Sequence, residues 1–231
     1  MRLKINLHLS KIIFMLTKSE ENYIKEIYAL EQKHQTDINT NPLAEKIETK
    51  ASSVTDMLKK LAKKKLLIYQ KYKGVKLNSQ GERIALSVRR KHSLWETFLV
   101  EKLNFSWDEV HNVAEQLEHI HSEKLTNELD AFLNFPKVDP HGNPIPDANG
   151  KLITMDTLCL DQLDIEEEGI FVEVKDESEN LLRYLTKNNI RIGTKIKVLD
   201  KEEFDNSFKI EIDKKQFNIS ENVIKNLYLK K

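Results

Sequence analysis

The chain has 231 residues, a formal net charge of zero and 39% hydrophobic residues, enough to bury a core in one large or two smaller domains. Its single cysteine, Cys159, excludes an internal disulfide framework and a cysteine-rich zinc module. No apolar run has the length of a membrane span, and no signal-peptide cleavage site follows the mildly apolar residues 3–16. We therefore expect a cytoplasmic protein with no membrane partner, in which residues 1–15 form an N-terminal tail.

The neutral total hides two segments of opposite charge. Residues 40–92 contain 14 lysines and arginines against 4 acidic residues, whereas residues 93–180 contain 5 against 21. A basic segment suits a polyanion, and an acidic segment suits cations. Two ordinary solvated surfaces are the alternative explanation.

The first elements in chain order are three helices and a hairpin. Residues 18–33, 41–48 and 50–66 each place apolar side chains at helical spacing, and lysines cover the other side of the third pattern. Residues 67–78 alternate around Gly74, as a small hairpin does. This order predicts a winged helix-turn-helix domain over residues 16–78.

In a winged helix, the third helix enters the major groove of double-stranded DNA. Its N-terminal side chains face base edges and backbone, and lysines of the helix and hairpin hold phosphates. The predicted DNA-binding residues are Ser52, Ser53, Thr55, Asp56, Lys59, Lys60, Lys71 and Lys73. A lysine-rich solvated helix beside an exposed hairpin is the alternative.

Two long helical patterns follow at residues 79–102 and 107–133, and the aromatic residues of the first suit a dimer interface or core packing. Residues 135–150 are rich in Pro, Gly, Asn and Asp, which predicts a loop. Beyond them, short clusters of β-formers predict a small antiparallel barrel or sheet in a separate C-terminal domain.

The second helical pattern carries ligand-type side chains opposite an apolar stripe. A helical projection places four of them within about 80° of one another, namely His111, Glu115, Glu118 and His119. His92 and Glu96 also share a helix face, because they are four residues apart. Such nitrogen and oxygen sets suit Mn²⁺, Fe²⁺, Co²⁺, Ni²⁺ or Zn²⁺. A solvated polar face is the alternative, and His121 projects away from this face.

Four stretches together resemble the diphtheria toxin repressor family of iron- and manganese-dependent transcriptional regulators. They are Thr55-Asp56 with the following lysines, RKHSLWETFL (90–99), EVHNVAEQLEHIHSEKL (109–125) and FPKVDPHGNPIP (135–146). The resemblance runs from about Leu16 to the C-terminus.

The resemblance implies a mainly α fold with a small β part. The expected domains are the winged helix-turn-helix (16–78), a helical dimerisation and metal-binding domain (79–135), a linker (136–155) and an SH3-like domain (156–231).

Carried over residue by residue, the family's primary metal site corresponds to Asn22, Glu115, Glu118 and His119. Its ancillary site corresponds to His92, Glu96 and His111, completed by Glu177 and Asn180 of the segment DESEN.

Two departures from the family pattern matter, one at Glu115 and one at Asn22 with Lys25. Glu115 stands where iron-responsive members often carry cysteine, and this harder oxygen set leans towards Mn²⁺. Asn22 replaces the usual Met or Asp, and Lys25 replaces a Glu of short manganese regulators, which argues against a close binuclear site. The expected ion is therefore Mn²⁺ or Fe²⁺, with Zn²⁺, Co²⁺ or Ni²⁺ possible in vitro.

The family resemblance implies a homodimeric, metal-dependent repressor of metal-uptake genes that binds a palindromic operator and is not an enzyme. A metalloenzyme is one alternative, because Glu118 and His121 fit a Glu-x-x-His motif, although only one such motif is evident. A winged-helix regulator with a non-metal effector is the other.

Overall fold

The computed structural model describes residues 16–34, 38–70, 73–153 and 155–231. They form two compact units. The first unit comprises the described residues up to His92 together with Leu117–Asn127 and Pro146–Lys151, and the second comprises Ser93–Gln116, Glu128–Ile145 and Leu152–Lys231. The predicted tail at residues 1–15 and the predicted DNA contact Lys71 lie outside the described residues.

The first unit contains the winged helix-turn-helix that the sequence predicted. Its elements are α1 (Lys18–His34), α2 (Thr40–Lys46), α3 (Ala51–Lys63), β1 (Leu67–Gln70) and β2 (Gly74–Leu77). A capping box starts α1, since the Thr17 hydroxyl accepts a hydrogen bond from the Glu20 amide while the Glu20 carboxylate accepts one from the Thr17 amide. The strands pair antiparallel as the wing.

The core of this domain explains the orientation of α3. Val54, Leu58 and Leu61 recur on one side of the helix and are fully buried, where they join Ile24 and Ile27 of α1 in one apolar cluster. Burial of this stripe leaves the opposite side of α3 in solvent. The face predicted to contact DNA is thus available.

The prediction of one long helix over residues 107–133 is wrong, because the structure divides this stretch into two helices. After α4 (Ser79–Leu103) come α5 (His111–Leu117) and α6 (Glu123–Phe132). Between α5 and α6, the Ser122 hydroxyl accepts a hydrogen bond from the Leu125 amide and so caps α6. The break leaves Ile120 39% exposed.

An antiparallel sheet forms the C-terminal part of the second unit, and its strand order is β3-β8-β4-β5-β6-β7. The strands are β3 (Leu158–Cys159), β4 (Glu168–Val174), β5 (Lys195–Lys201), β6 (Phe208–Ile212), β7 (Lys215–Ile219) and β8 (Leu227–Lys230). The alternation that predicted them appears in β6, where Phe208, Ile210 and Ile212 are buried. The predicted fold class is confirmed.

Two helices of this domain were not predicted, α7 (Glu179–Lys187) and α8 (Glu221–Ile224). Leu182 and Leu185 of α7 are buried against the sheet, and their three-residue spacing is a helical signal. In the parts of the chain that the structure describes, no helix combines the length and apolar character needed to cross a bilayer.

Candidate functional site

Ligand-type side chains converge in the second unit from four parts of the chain. One ligand atom from each of Glu96, His111 and Glu177 lies within 4.8 Å of the others, and the same holds for Glu96, Asp139 and His141, so two groups share Glu96. These five residues are called the Glu96 cluster below. It unites α4, the start of α5, the turn after α6 and the segment before α7.

The two imidazoles of the cluster face shared carboxylates. His111 Nδ1 lies 3.5 Å from Glu96 Oε1 and 3.6 Å from Glu177 Oε2. His141 Nδ1 lies 3.4 Å from the other Glu96 oxygen, and its Nε2 is 2.7 Å from the carbonyl oxygen of Trp107. Because an Nε2 proton is donated to that carbonyl, Nδ1 is the ring atom positioned to bind a metal ion.

Hydrogen bonds hold the carboxylate of Asp139 in place. Its Oδ1 accepts the backbone amides of His141 and Asn143, both at 3.0 Å. Its Oδ2 accepts the Ser93 hydroxyl at 2.9 Å, and the Asn143 side-chain amide also donates to Glu177 Oε1 at 2.7 Å. The loop thus positions two carboxylates, as the outer shell of a metal site does.

Crowding of carboxylates raises the proton affinity of the cluster. Burial, followed by the charges of Glu96 and Glu177, raises the pKa of Asp139 to about 7. Burial acts to lower the pKa of His141, but the hydrogen bond and charge of Glu96 outweigh it and raise that pKa to about 9. A bound cation would relieve this repulsion, so the donor set fits a divalent ion.

A second constellation lies entirely within the first unit. It consists of Glu21, Asn22, Lys25, Lys91, Glu118 and His119, and is called the Glu118 cluster below. Glu21 Oε2 is 2.6 Å from His119 Nδ1, and Lys25 Nζ donates to Glu118 Oε1 at 2.8 Å. Glu118 is fully buried. Burial acts to raise its pKa, but the His92 hydrogen bond and the Lys25 charge bring that pKa below its usual value.

The predicted metal ligands are therefore distributed unevenly. Glu96, His111 and Glu177 come together, whereas Asn180 is exposed on α7 and is not in the group that they form among the described residues. His92 directs Nδ1 to Glu118 Oε2 at 2.6 Å. Glu115 has a side chain that is 39% exposed, and its carboxylate is 3.9 Å from His111 Nε2.

Glu118 and His119 follow the end of α5, so a single helix face does not present them, contrary to the projection. Asn22 lies on α1 with a buried Oδ1 that has no hydrogen-bond partner among the described residues. The ligand roles of Asn22, Glu115, Glu118 and His119 stay a prediction. His121, which the projection set aside, has Nδ1 3.7 Å from Glu21 Oε1.

Asp139, His141 and Glu21 were missed at the sequence level. Asp139 and His141 belong to FPKVDPHGNPIP, where density of Pro and Gly predicted only a loop. The Asp-x-His spacing within that stretch was the available signal. Glu21 directly precedes Asn22 and had no distinguishing pattern.

The candidate DNA-binding face lies on α3 and the wing. Ser52, Ser53, Asp56, Lys59 and Lys73 are exposed, while Thr55 is half-buried. The Thr55 hydroxyl donates to the Ala51 carbonyl at 3.0 Å, and Lys59 pairs with Asp56 at 3.4 Å. These contacts leave the polar side chains on the solvent side of α3.

Lys60, predicted to contact phosphate, also has a partner within the protein. Its Nζ lies 3.2 Å from the buried carboxylate of Glu20, and Lys64 Nζ lies 2.8 Å from the same oxygen. Burial acts to raise the pKa of Glu20, but hydrogen bonds from Lys64, the Thr17 amide and Lys60 lower it below the usual value. Lys60 and Lys64 thus tie α3 to the start of α1.

Family models match three successive parts of the chain. They are the N-terminal DNA-binding domain of the iron-dependent repressors at residues 15–75, their metal-binding and dimerisation domain at residues 78–147, and the FeoA domain at residues 158–231. The HTH-type transcriptional regulator MntR of Bacillus velezensis is 38% identical over 106 residues, which are 46% of this chain and 72% of that protein. The chain belongs to the DtxR/MntR-like family of metal-dependent repressors.

Members of this family differ in how much of their length the chain matches. The iron-dependent repressor IdeR of Mycobacterium leprae is 34% identical over 131 residues, which are 57% of this chain and 56% of that protein. A solved manganese-dependent transcriptional repressor in complex with manganese is 33% identical, with a TM-score of 0.84 over 91% of this chain and 98% of its own. The structure of the manganese regulator SloR gives 33% identity and a TM-score of 0.77 over 94% of this chain and 100% of that one.

Proposed function

We propose that the chain is a homodimeric, metal-activated repressor that binds a palindromic operator in genes of metal-ion uptake. The observation that carries this proposal is the Glu96 cluster, in which three carboxylates and two imidazoles meet in a chain that also has a winged helix. Membership of a family of iron- and manganese-dependent repressors supports it.

Mn²⁺ or Fe²⁺ is the proposed effector, held by Glu96, His111, Asp139, His141 and Glu177. Carboxylate and imidazole ligands suit both ions, and no thiolate favours a softer metal, since the single cysteine of the chain, Cys159, is buried and belongs to β3. When bound, the ion neutralises the clustered carboxylates.

Hydrogen bonds and ion contacts among the protein's own groups position the segments that meet in this cluster. Glu96 anchors both imidazoles on α4, Trp107 orients His141, and Asn143 links Asp139 to Glu177. In the metal-free chain the raised pKa values of Asp139 and His141 favour protonated forms. Metal must therefore displace protons, and metal and operator DNA should raise each other's affinity by the same factor.

A fluorescence titration of labelled operator DNA tests the proposal. We expect Mn²⁺ or Fe²⁺ to raise the operator affinity of the wild-type protein by about 10-fold or more, within the range of typical allosteric coupling. Glu96→Gln should abolish that increase, because it removes the carboxylate shared by both imidazoles.

Glu101→Gln is the matched control, since Glu101 is an exposed glutamate on the same helix. It should behave as wild type. Operator affinity that is independent of both metals in the wild-type protein would sink the proposed function.

A further inference from the structure

The Glu118 cluster occupies the position where the family resemblance predicted a primary metal ion, but its charges differ from those of a metal site. Two buried carboxylates, Glu21 and Glu118, already have two lysines beside them. Lys25 Nζ is 2.8 Å from Glu118 Oε1 with a side chain only 15% exposed. Lys91 is buried; burial lowers the pKa of its ammonium group, while the charges of Glu21 and Glu118 act to raise it.

The charges of this cluster balance without any ion. Two ammonium groups match two carboxylates, so a divalent cation would enter a neutral site and be repelled by both lysines. The Glu96 cluster has a different charge balance, because it combines three carboxylates with two imidazoles. The two clusters therefore differ in their demand for a cation.

Two other hydrogen-bonding atoms of this cluster also suit an internal cation. Glu21 Oε1 and Lys91 Nζ are buried and have no hydrogen-bond partner among the described residues. The Glu21 carboxylate acts electrostatically on Lys91, and one shared water would join this acceptor to this donor. No metal ion is needed to satisfy them.

The ion pairs already make the connection that a metal ion would make within this unit. Glu21 and Lys25 belong to α1, and Glu118 and His119 to the turn after α5. The contacts Glu21–His119 at 2.6 Å and Lys25–Glu118 at 2.8 Å join these two segments directly.

We infer that Lys25 and Lys91 are built-in cations that take the place of a metal ion in the Glu118 cluster. This cluster then ties α1 to residues 118–119 whether or not metal is present. The consequence for sensing rests on the proposed function: if the chain is a metal-activated repressor, it responds to metal through the Glu96 cluster alone.

Metal stoichiometry of the full-length protein tests this inference. After equilibrium dialysis against Mn²⁺, mass spectrometry of the bound metal should give about one ion per chain. Glu96→Gln should lose that ion. Glu118→Gln should keep it, while its unfolding temperature in chelator falls because the partner of Lys25 is weakened.

Removing the two ammonium groups tests the role given to Lys25 and Lys91. A Lys25→Gln, Lys91→Gln double variant leaves two buried carboxylates and His119 without a neighbouring ammonium, so it should gain a second Mn²⁺ per chain. Adding Glu118→Gln should remove the gained ion. Lys33→Gln, an exposed lysine on the same helix α1, should leave the stoichiometry unchanged.

Two results would overturn the inference while leaving metal-dependent repression intact. One is a wild-type protein that binds two ions and loses one in Glu118→Gln. The other is a double variant with a wild-type circular dichroism spectrum that gains no ion. If the double variant does not fold, the Glu118→Gln stoichiometry decides alone. Failure of the proposed function looks different, since Mn²⁺ and Fe²⁺ would then leave operator affinity unchanged.

Discussion

At the scale of single residues, Asp139 shows how crowded carboxylates destabilise a candidate metal site in the absence of metal. Its carboxylate is buried beside Glu96 and Glu177, and its pKa is raised to about 7. The folded chain therefore holds the proton more tightly than the unfolded chain, whose aspartate titrates near 3.8. Stability from this group is complete below about pH 4 and is lost as the pH rises to about 7.

His141 also makes the stability of the metal-free protein fall as the pH rises, but over a higher pH range. Although burial opposes it, Glu96 raises the pKa of His141 to about 9 from an ordinary value of 6.5. The stabilisation from its protonated form is present below pH 6.5 and disappears as the pH rises through 9. Together, Asp139 and His141 should lower the stability of the metal-free protein as the pH rises from about 4 to about 9.

We predict that Asp139→Asn flattens this pH dependence and weakens metal binding together. The neutral amide has no proton to lose, so the unfolding temperature of the metal-free variant should fall less than that of wild type between pH 4 and 7. Loss of one carboxylate ligand should lower Mn²⁺ affinity by about 10-fold or more.

Thermal unfolding by circular dichroism, at several pH values with and without Mn²⁺, measures both effects. Asp156→Asn, at an exposed aspartate of the second unit, should match wild type. An Asp139→Asn protein with the wild-type pH slope would contradict the role given to this carboxylate.

At the scale of elements, the turn from Asp139 to Asn143 is positioned by its contact with β4. The Val174 amide donates to the His141 carbonyl at 2.9 Å. Gly142 has φ of +86°, and a Cβ at this position would lie 1.9 Å from the Val172 carbonyl oxygen. Only glycine allows both the left-handed backbone and this close approach.

We predict that Gly142→Ala destabilises the protein far more than Gly193→Ala. Both glycines have positive φ, but a Cβ at Gly193 would meet no atom within 4 Å. Backbone strain alone should therefore cost about 1 kcal/mol at Gly193. At Gly142 the added clash with backbone should bring the cost above about 3 kcal/mol and displace Asp139 and His141.

Urea unfolding and Mn²⁺ titration of both variants check this prediction. Equal losses of unfolding free energy in the two variants would show that β4 shifts to accommodate the added Cβ at Gly142 without destabilising the protein. Wild-type metal affinity in a folded Gly142→Ala protein would show that the turn does not position the cluster.

At the scale of the whole molecule, the chain separates its charges into a basic DNA-binding segment and acidic segments beyond it. The 14 basic residues of positions 40–92 include exposed lysines on α3 and the wing. Phosphate contacts from such residues give affinity that depends on salt and little on sequence.

We predict that Lys73→Glu, in the wing, weakens binding to operator and unrelated DNA by similar factors. Loss of one phosphate contact should also reduce the slope of log affinity against log salt by about 1. Lys215→Glu changes the net charge equally on an exposed lysine of β7 and should leave the slope unchanged. Fluorescence anisotropy at several salt concentrations measures this, and a selective loss for the operator alone would contradict a phosphate role.

The periodic parts of the fold were predictable from sequence, and the aperiodic parts were not. The stripe of Val54, Leu58 and Leu61 identified α3, and the alternation of Phe208, Ile210 and Ile212 identified β6, because burial imposes the period of each element on the sequence. The break after Leu117 was missed because a short capped turn leaves the hydrophobic spacing of the flanking helices nearly continuous.

The sequence by itself determined the family and the fold class, and it named Glu96, His111 and Glu177 as candidate ligands. Tertiary structure decided their surroundings. Asp139 and His141 join Glu96 across more than 40 residues of chain, and Lys25 pairs with Glu118 across 93. Such contacts depend on how helices and turns pack, and local periodicity does not encode packing between distant segments. Which cluster demands a cation is therefore a property of the folded chain.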